Sequence, residues 1–186
     1  VLNERFARWY TCGLCEQRYH GVVACALGWA CWRTYLGRPE TDQIHGMAMN
    51  VLGNGLSEAG HHEDALPVFE AKLAMERRLD VSEECMLAVQ ANLACTYGEL
   101  GRLEEALQLE CDVYNGSLRL LGEEDEDTLR AAYNYANALV SLKRSEEAKA
   151  LFCKTIPVAR RVLGDSNHVT IMFRRHYAQV LYRADD

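Results

Sequence analysis

Proline is scarce, with three residues in a chain of 186. That excludes a polyproline or collagen-like rod. No apolar run approaches the roughly 18–20 residues of a membrane-spanning helix. The longest, Gly21 to Cys31, is too short and gives way to Trp32-Arg33. No stretch alternates apolar and polar residues over a useful length, so sheet proteins drop out. Catalytic signatures are missing as well. There is no G-x-S-x-G elbow, no phosphate-binding loop and no H-E-x-x-H pair, so neither an enzyme nor a bound cofactor is expected. His61-His62-Glu63-Asp64 falls at a turn and a helix start, where acids favour the helix dipole. No signal or transit segment is visible; the chain starts at Val1 rather than Met, so this silence excludes nothing.

Hydrophobic residues make up 49% of the chain, enough for a continuous core. The net charge of −7 is unevenly spread: +1 over residues 1–45, −13 over 46–128 and +5 over 129–186. An acidic middle argues against nucleic acid as a ligand, because phosphate neutralisation dominates that affinity. The acids either populate solvated helix faces or steer a basic partner to the middle and an acidic one to the end. Eight cysteines (12, 15, 25, 31, 85, 95, 111 and 153) make no dense disulfide framework in a chain of this length. Free thiols in a reducing compartment, the cytoplasm or an organelle stroma, are the default.

The chain repeats itself. Asp64-Ala65-Leu66 returns as Glu105-Ala106-Leu107 and as Glu147-Ala148-Lys149, and Leu121-Gly122 returns as Leu163-Gly164. A period of 41–42 residues marks an array whose units bury their apolar faces against neighbours. The apolar spacing predicts helix pairs at 46–60 and 63–79, 87–100 and 104–121, and 129–142 and 146–163, with a lone helix from Val169 to the end. Gly60, Gly101 and Lys143 occupy the turn within each pair; the first two suit a left-handed cap, which Lys143 adopts at some cost. Carried backwards, the register makes 21–36 a second helix and 1–18 its first. Pro67 falls in a first helical turn, while Pro157 lies mid-helix and should kink the chain or break the bond to Cys153. The chain ends where a tenth helix should begin, so a longer polypeptide or a disordered tail is expected.

Tyr133-Asn134-Tyr135-Ala136-Asn137-Ala138-Leu139, followed by Glu146-Glu147-Ala148, resembles the tetratricopeptide repeat. So do Asn92-Leu93-Ala94-Cys95-Thr96-Tyr97 with Gly101 and Glu104-Glu105-Ala106, and Leu52-Gly53-Asn54-Gly55-Leu56 with Gly60 and Asp64-Ala65. The long second helices ending in Leu-Gly before an acidic loop are similar to the kinesin-light-chain variety. The large residue expected early in each first helix is replaced by Met49, Gln90 and Ala132. The resemblance implies an all-α, right-handed solenoid of antiparallel helix pairs. Its divisions would be a cysteine-rich helical hairpin over 1–45 and repeats over 46–86, 87–128 and 129–170, with the first helix of a further repeat over 171–186. Gly53, Ala94 and Ala136, with Ala65, Ala106 and Ala148 opposite, let paired helices approach, and leucines and tyrosines fill between.

In such arrays the first helices line a concave surface. Facing outwards there would be Asn50, Asn54, Glu58, Asn92, Cys95, Glu99, Arg130, Tyr133, Asn134, Asn137, Ser141, Arg175, His176 and Gln179. The amide residues Asn54, Asn92, Asn134 and Asn137 offer donor and acceptor together, which suits the backbone of an extended peptide; alternatively they bond between helices. Arg130, Arg174, Arg175 and Arg183 would suit a carboxylate-bearing partner, or form a solvated face. The partners implied are proteins or peptides, through the groove, or through end faces such as Ile171, Phe173, Tyr177 and Leu181 if the chain is a subunit of a large complex. A rival reading takes Cys12, Cys15, His20 and Cys25 as a zinc knuckle acting in nucleic-acid binding or ubiquitin chemistry. The repeat register instead puts these thiols in the core. Trp9, Tyr10, Trp29, Trp32 and Tyr35 are either core or a docking patch.

Overall fold

The computed structural model describes residues 6–182. Among them are eight helices: α1 Gly21–Tyr35, α2 Gln43–Glu58, α3 His62–Arg78, α4 Glu83–Glu99, α5 Leu103–Leu121, α6 Glu126–Ser141, α7 Ser145–Leu163 and α8 His168–Tyr182. They fall in two compact units, Val1–Leu100 with α1 to α4 and Gly101–Asp186 with α5 to α8. The division anticipated near residue 45 thus lies inside the first unit. In each unit consecutive helices pack on one another, and α6 also touches α8.

Local chemistry sets the helix ends. Asp42 accepts from the Ile44 N–H at 3.0 Å and Asp125 from Asp127 at 2.9 Å, each capping an orphan donor. Glu63 and Asp64, Glu104 and Glu105, and Glu146 and Glu147 open α3, α5 and α7, where negative charge meets the positive end of the helix dipole. The turns within the pairs are left-handed as expected, with φ of 78° at Gly60, 75° at Gly101 and 60° at Lys143. His61 N–H then reaches Leu56 O, and Arg144 N–H reaches Leu139 O, both at 2.9 Å, which closes a Schellman cap. Repetition in sequence becomes repetition in environment. Ala65, Ala106 and Ala148 are each the fourth residue of a helix and are 0%, 4% and 0% exposed.

The first unit has an unusually close helix contact. α1 buries Ala24, Gly28 and Cys31 along one stripe. A Cβ on Gly28 would stand 3.0 Å from Val51 O, and one on Gly55 only 2.5 Å from Ala24 O. The backbones of α1 and α2 therefore touch where side chains would normally separate them. Gly53 faces the Phe69 ring instead, at 2.6 Å from its would-be Cβ, so an α3 aromatic fills the glycine notch.

The expectation of a helix over 1–18 is corrected; residues 1–5 of it lie outside the described residues. After Phe6 and Ala7 the chain leaves the helix, and Thr11 and Arg18 form an isolated antiparallel bridge. Gly13 and the left-handed Glu16 (φ 58°) oppose helix continuation, and Thr11, Tyr10 and Tyr19 are residue types that favour extended backbone. Phe6 is nevertheless fully buried, in a cluster with Cys31, Ala48 and Val51 against which Trp9, Trp32 and Tyr35 pack. Trp29 (41% exposed) and Tyr10 (39%) stay outside the core. Pro67 stands in the second turn of α3 rather than the first, and α7 runs unbroken through Pro157.

Candidate functional site

A groove in the first unit gathers three of the amides that the sequence singled out. Asn50 and Asn54 lie one turn apart on α2 and so share a face. Asn92 comes from α4, which touches α2 directly. Together they line a space of about 910 Å³. Asn92 Nδ2 donates to Asn50 Oδ1 at 3.3 Å, while Asn54 stays exposed.

Part of the lining is one that repeat reasoning missed. Tyr10, Arg18 and Tyr19, from the bridged N-terminal segment, line the groove together with Glu58, His62 and Glu99. Assigning that segment to a helix hid these residues; the turn-forming Gly13 was the available signal. His20 Nδ1 donates to Glu58 Oε2 at 3.1 Å, and His62 Nε2 lies 4.0 Å from Glu99 Oε2. His62 Nδ1 is buried with no hydrogen-bond partner. The lining thus mixes aromatic surface, amides and charges of both signs.

The remaining outward-facing candidates, in the second unit, divide. Asn137, Arg175 and Gln179 are exposed and Asn134 is half-buried. Tyr133 is only 9% exposed and belongs to the packing. Its hydroxyl lies 3.0 Å from His176 Nδ1, and its ring stands edge-on to Phe173 at 5.6 Å. Burial pushes the Tyr133 hydroxyl above its ordinary pKa, against the pull of Arg175. Tyr133 and His176 thus join α6 to α8. The basic end is partly neutralised: Arg130 pairs with Asp127 at 2.8 Å and Arg174 with Asp165 at 3.6 Å. Arg183 lies outside the described residues.

Cys12, Cys15, His20 and Cys25 do not come together as a knuckle. Among the described residues, no group of three or more His, Cys, Asp or Glu side chains is placed to hold a metal ion. His20 turns to Glu58, and Cys25 sits on α1 against the Gly55 backbone. The core reading is corrected as well. Cys15 is exposed and Cys12 and Cys25 are half-buried; Cys31 is the thiol that is fully enclosed. Burial pushes Cys31 up to about 12.

Comparison with known proteins agrees with the fold. The tetratricopeptide repeat family model matches residues 86–127 and 128–169, two spans of 42 residues. No curated protein matches the chain. Among solved structures, BtubC (BKLC) from P. vanneervenii is similar with a TM-score of 0.69 at 17% identity, over 88% of this chain and 65% of that one. A Q17M form of a putative kinesin light chain with nearly identical TPR-like repeats, from Podosopora anserina, reaches 0.70 at 19% identity, over 88% and 76%. The apo form of RapI reaches 0.65 at 12% identity, over 87% and 62%. The chain spans less than two thirds of the length of BtubC and of RapI. Residues 86–169 therefore match two tetratricopeptide repeats, in an all-α solenoid fold shared with kinesin-light-chain-like proteins. Among the described residues, no helix is long and apolar enough to cross a membrane.

Proposed function

We propose that this chain is a non-catalytic interaction scaffold whose first-unit groove seats an extended segment of a protein partner. The observation that carries the reading is the convergence of Asn50, Asn54 and Asn92 on one groove of about 910 Å³. Amide side chains can hydrogen-bond a peptide backbone without reading its sequence. Tyr10 and Tyr19 add rigid aromatic area at low entropic cost, as interface centres commonly do. Glu58 and Glu99 favour a partner carrying basic residues.

The test is quantitative affinity capture with wild type and an Asn54→Ala/Asn92→Ala variant. Partners held by the groove should fall about tenfold, the equivalent of about 1.4 kcal/mol. Equal recovery on both baits would sink the groove as the binding surface.

A second reading, a structural subunit of a larger assembly, rests on α8. Ile171 (49% exposed), Leu181 (41%) and Tyr182 (73%) leave apolar surface there. Phe173 is fully buried and Tyr177 half-buried, so they do not add to that end face. Cross-linking that joins α8 to another chain in a native assembly would favour this reading over the groove.

A further inference from the structure

The N-terminal segment carries chemistry that the repeats do not use. Cys12 N–H donates to Gln17 O at 2.9 Å and Tyr19 N–H to Tyr10 O at 3.0 Å, so the two sides are held together. Inside this frame Glu16 N–H donates to Cys12 O at 2.9 Å. Cys12-Gly13-Leu14-Cys15 therefore forms one tight helical-type turn, and residues three apart on such a turn are side-chain neighbours. The Cys15 thiol and the Tyr19 hydroxyl are the side chains beside the Cys12 sulfur that favour its thiolate. Leu14, at the tip, is 97% exposed and Cys15 is exposed, so a small reagent reaches the pair from solvent. Tyr19 is also a wall of the groove.

We propose that Cys12 and Cys15 are a reversible dithiol–disulfide pair, a modification site for low-molecular-weight disulfides of the glutathione class, and that closing it resets Tyr19 in the groove wall. The Cys12 thiolate attacks one sulfur of the small disulfide and expels the other as a thiolate, leaving a mixed disulfide. Cys15 then gives up its proton and attacks the Cys12 sulfur, expelling the second small thiolate. Two protein thiols are oxidised to one disulfide, one small disulfide is reduced to two thiols, and the two protein protons end on the leaving thiolates. Cys12 attacks first because its thiolate is stabilised, by hydrogen bonding to the Leu14 and then the Cys15 backbone and by the Cys15 thiol, which lowers it to about 7. A thiol of that acidity is near the optimum for exchange at neutral pH. Bond formation removes the thiolate that the Tyr19 hydroxyl faces, since a neutral disulfide sulfur is a poor acceptor. The exchange chemistry stands independently of the peptide reading; the effect on a bound partner rests on it.

The experiment equilibrates the full chain in buffers of reduced and oxidised glutathione, traps thiols by alkylation and maps peptides by mass spectrometry. The expected result is a linked Cys12–Cys15 peptide that forms and reverts with the buffer, while the exposed Cys85 remains alkylated. Cys15→Ser should accumulate glutathione on Cys12, and Cys12→Ser should leave Cys15 largely unmodified. Absence of the linked peptide in oxidised glutathione, or adducts spread evenly over Cys12, Cys15 and Cys85, overturns the pair. Ring resonances of Tyr19, assigned with Tyr19→Phe, should shift between the two states; a bond that forms while they stay fixed overturns the coupling to the groove. Neither readout uses a partner, so failure of the peptide reading remains separately visible.

Discussion

Asn92 Nδ2 donates to Asn50 Oδ1 across 3.3 Å, joining positions 42 residues apart. One repeat period in sequence has become one hydrogen bond in space. The bond gives these amides a structural task that Asn54, exposed four residues along α2, does not share. Asn92→Ala should therefore cost about 1 kcal/mol of stability, because a half-buried acceptor loses its donor. Asn54→Ala should leave the unfolding midpoint in place and weaken partner binding alone. Urea unfolding and a binding assay on both variants separate the roles. Equal stability loss at both positions would remove Asn54 from the list of ligand-facing groups.

Gly55 marks where α1 and α2 meet backbone to backbone. A methyl there would lie 2.5 Å from Ala24 O, which belongs to helix backbone and cannot swing away. Gly55→Ala gains about 0.8–1.0 kcal/mol of helix propensity but overpacks the contact by about 1–3 kcal/mol. Net destabilisation is expected, read as a lower thermal midpoint. Gly98→Ala, on α4 with nothing within 4 Å of its would-be Cβ, is the control and should gain stability.

The repeat units were legible in the sequence because each rule was stated more than once. Ala65, Ala106 and Ala148 share a helix position and near-complete burial, and Gly60, Gly101 and Lys143 share a left-handed turn. The kinesin-light-chain resemblance agrees with the structural likeness. The N-terminal segment occurs once and had no second copy to correct a misreading. Extending the register over it placed Cys12 and Cys15 in a core, whereas Gly13 and the left-handed Glu16 break the helix and leave Cys12 half-buried and Cys15 exposed. Tyr133 was misjudged for a different reason. Periodicity placed it on the outer face of α6, and only the packing of α8 across that face covers it.

That packing makes its own prediction. Phe173 is fully buried between the rings of Phe152, at 6.0 Å, and Tyr133, at 5.6 Å. Phe173→Ala should cost about 3–5 kcal/mol, since it deletes a buried aromatic and leaves a cavity. Tyr133→Phe keeps the ring and removes only the hydroxyl facing His176, so about 0.5–1.5 kcal/mol is expected. Chemical denaturation should rank the two in that order. A Tyr133→Phe loss as large as that of Phe173→Ala would show the hydrogen bond, rather than ring packing, to be what holds α8.

Cys31 offers a test of burial through pH. It is 0% exposed, and burial, against a weaker opposing pull from Arg8, raises its thiol to about 12. In the unfolded chain a thiol titrates near 8.5. Below that pH both states hold the proton and Cys31 contributes no slope. Above it the unfolded chain releases a proton that the folded chain keeps, so stability falls as pH rises towards about 12. The hydroxyls of buried Tyr133 and half-buried Tyr135 are also raised and add the same sign, so the comparison must be between chains rather than between pH values. Urea midpoints taken from neutral to alkaline pH should fall more steeply for wild type than for Cys31→Ala. Parallel curves would mean that this thiol ionises as readily folded as unfolded, and that the cluster of Phe6, Ala48 and Val51 does not seal it.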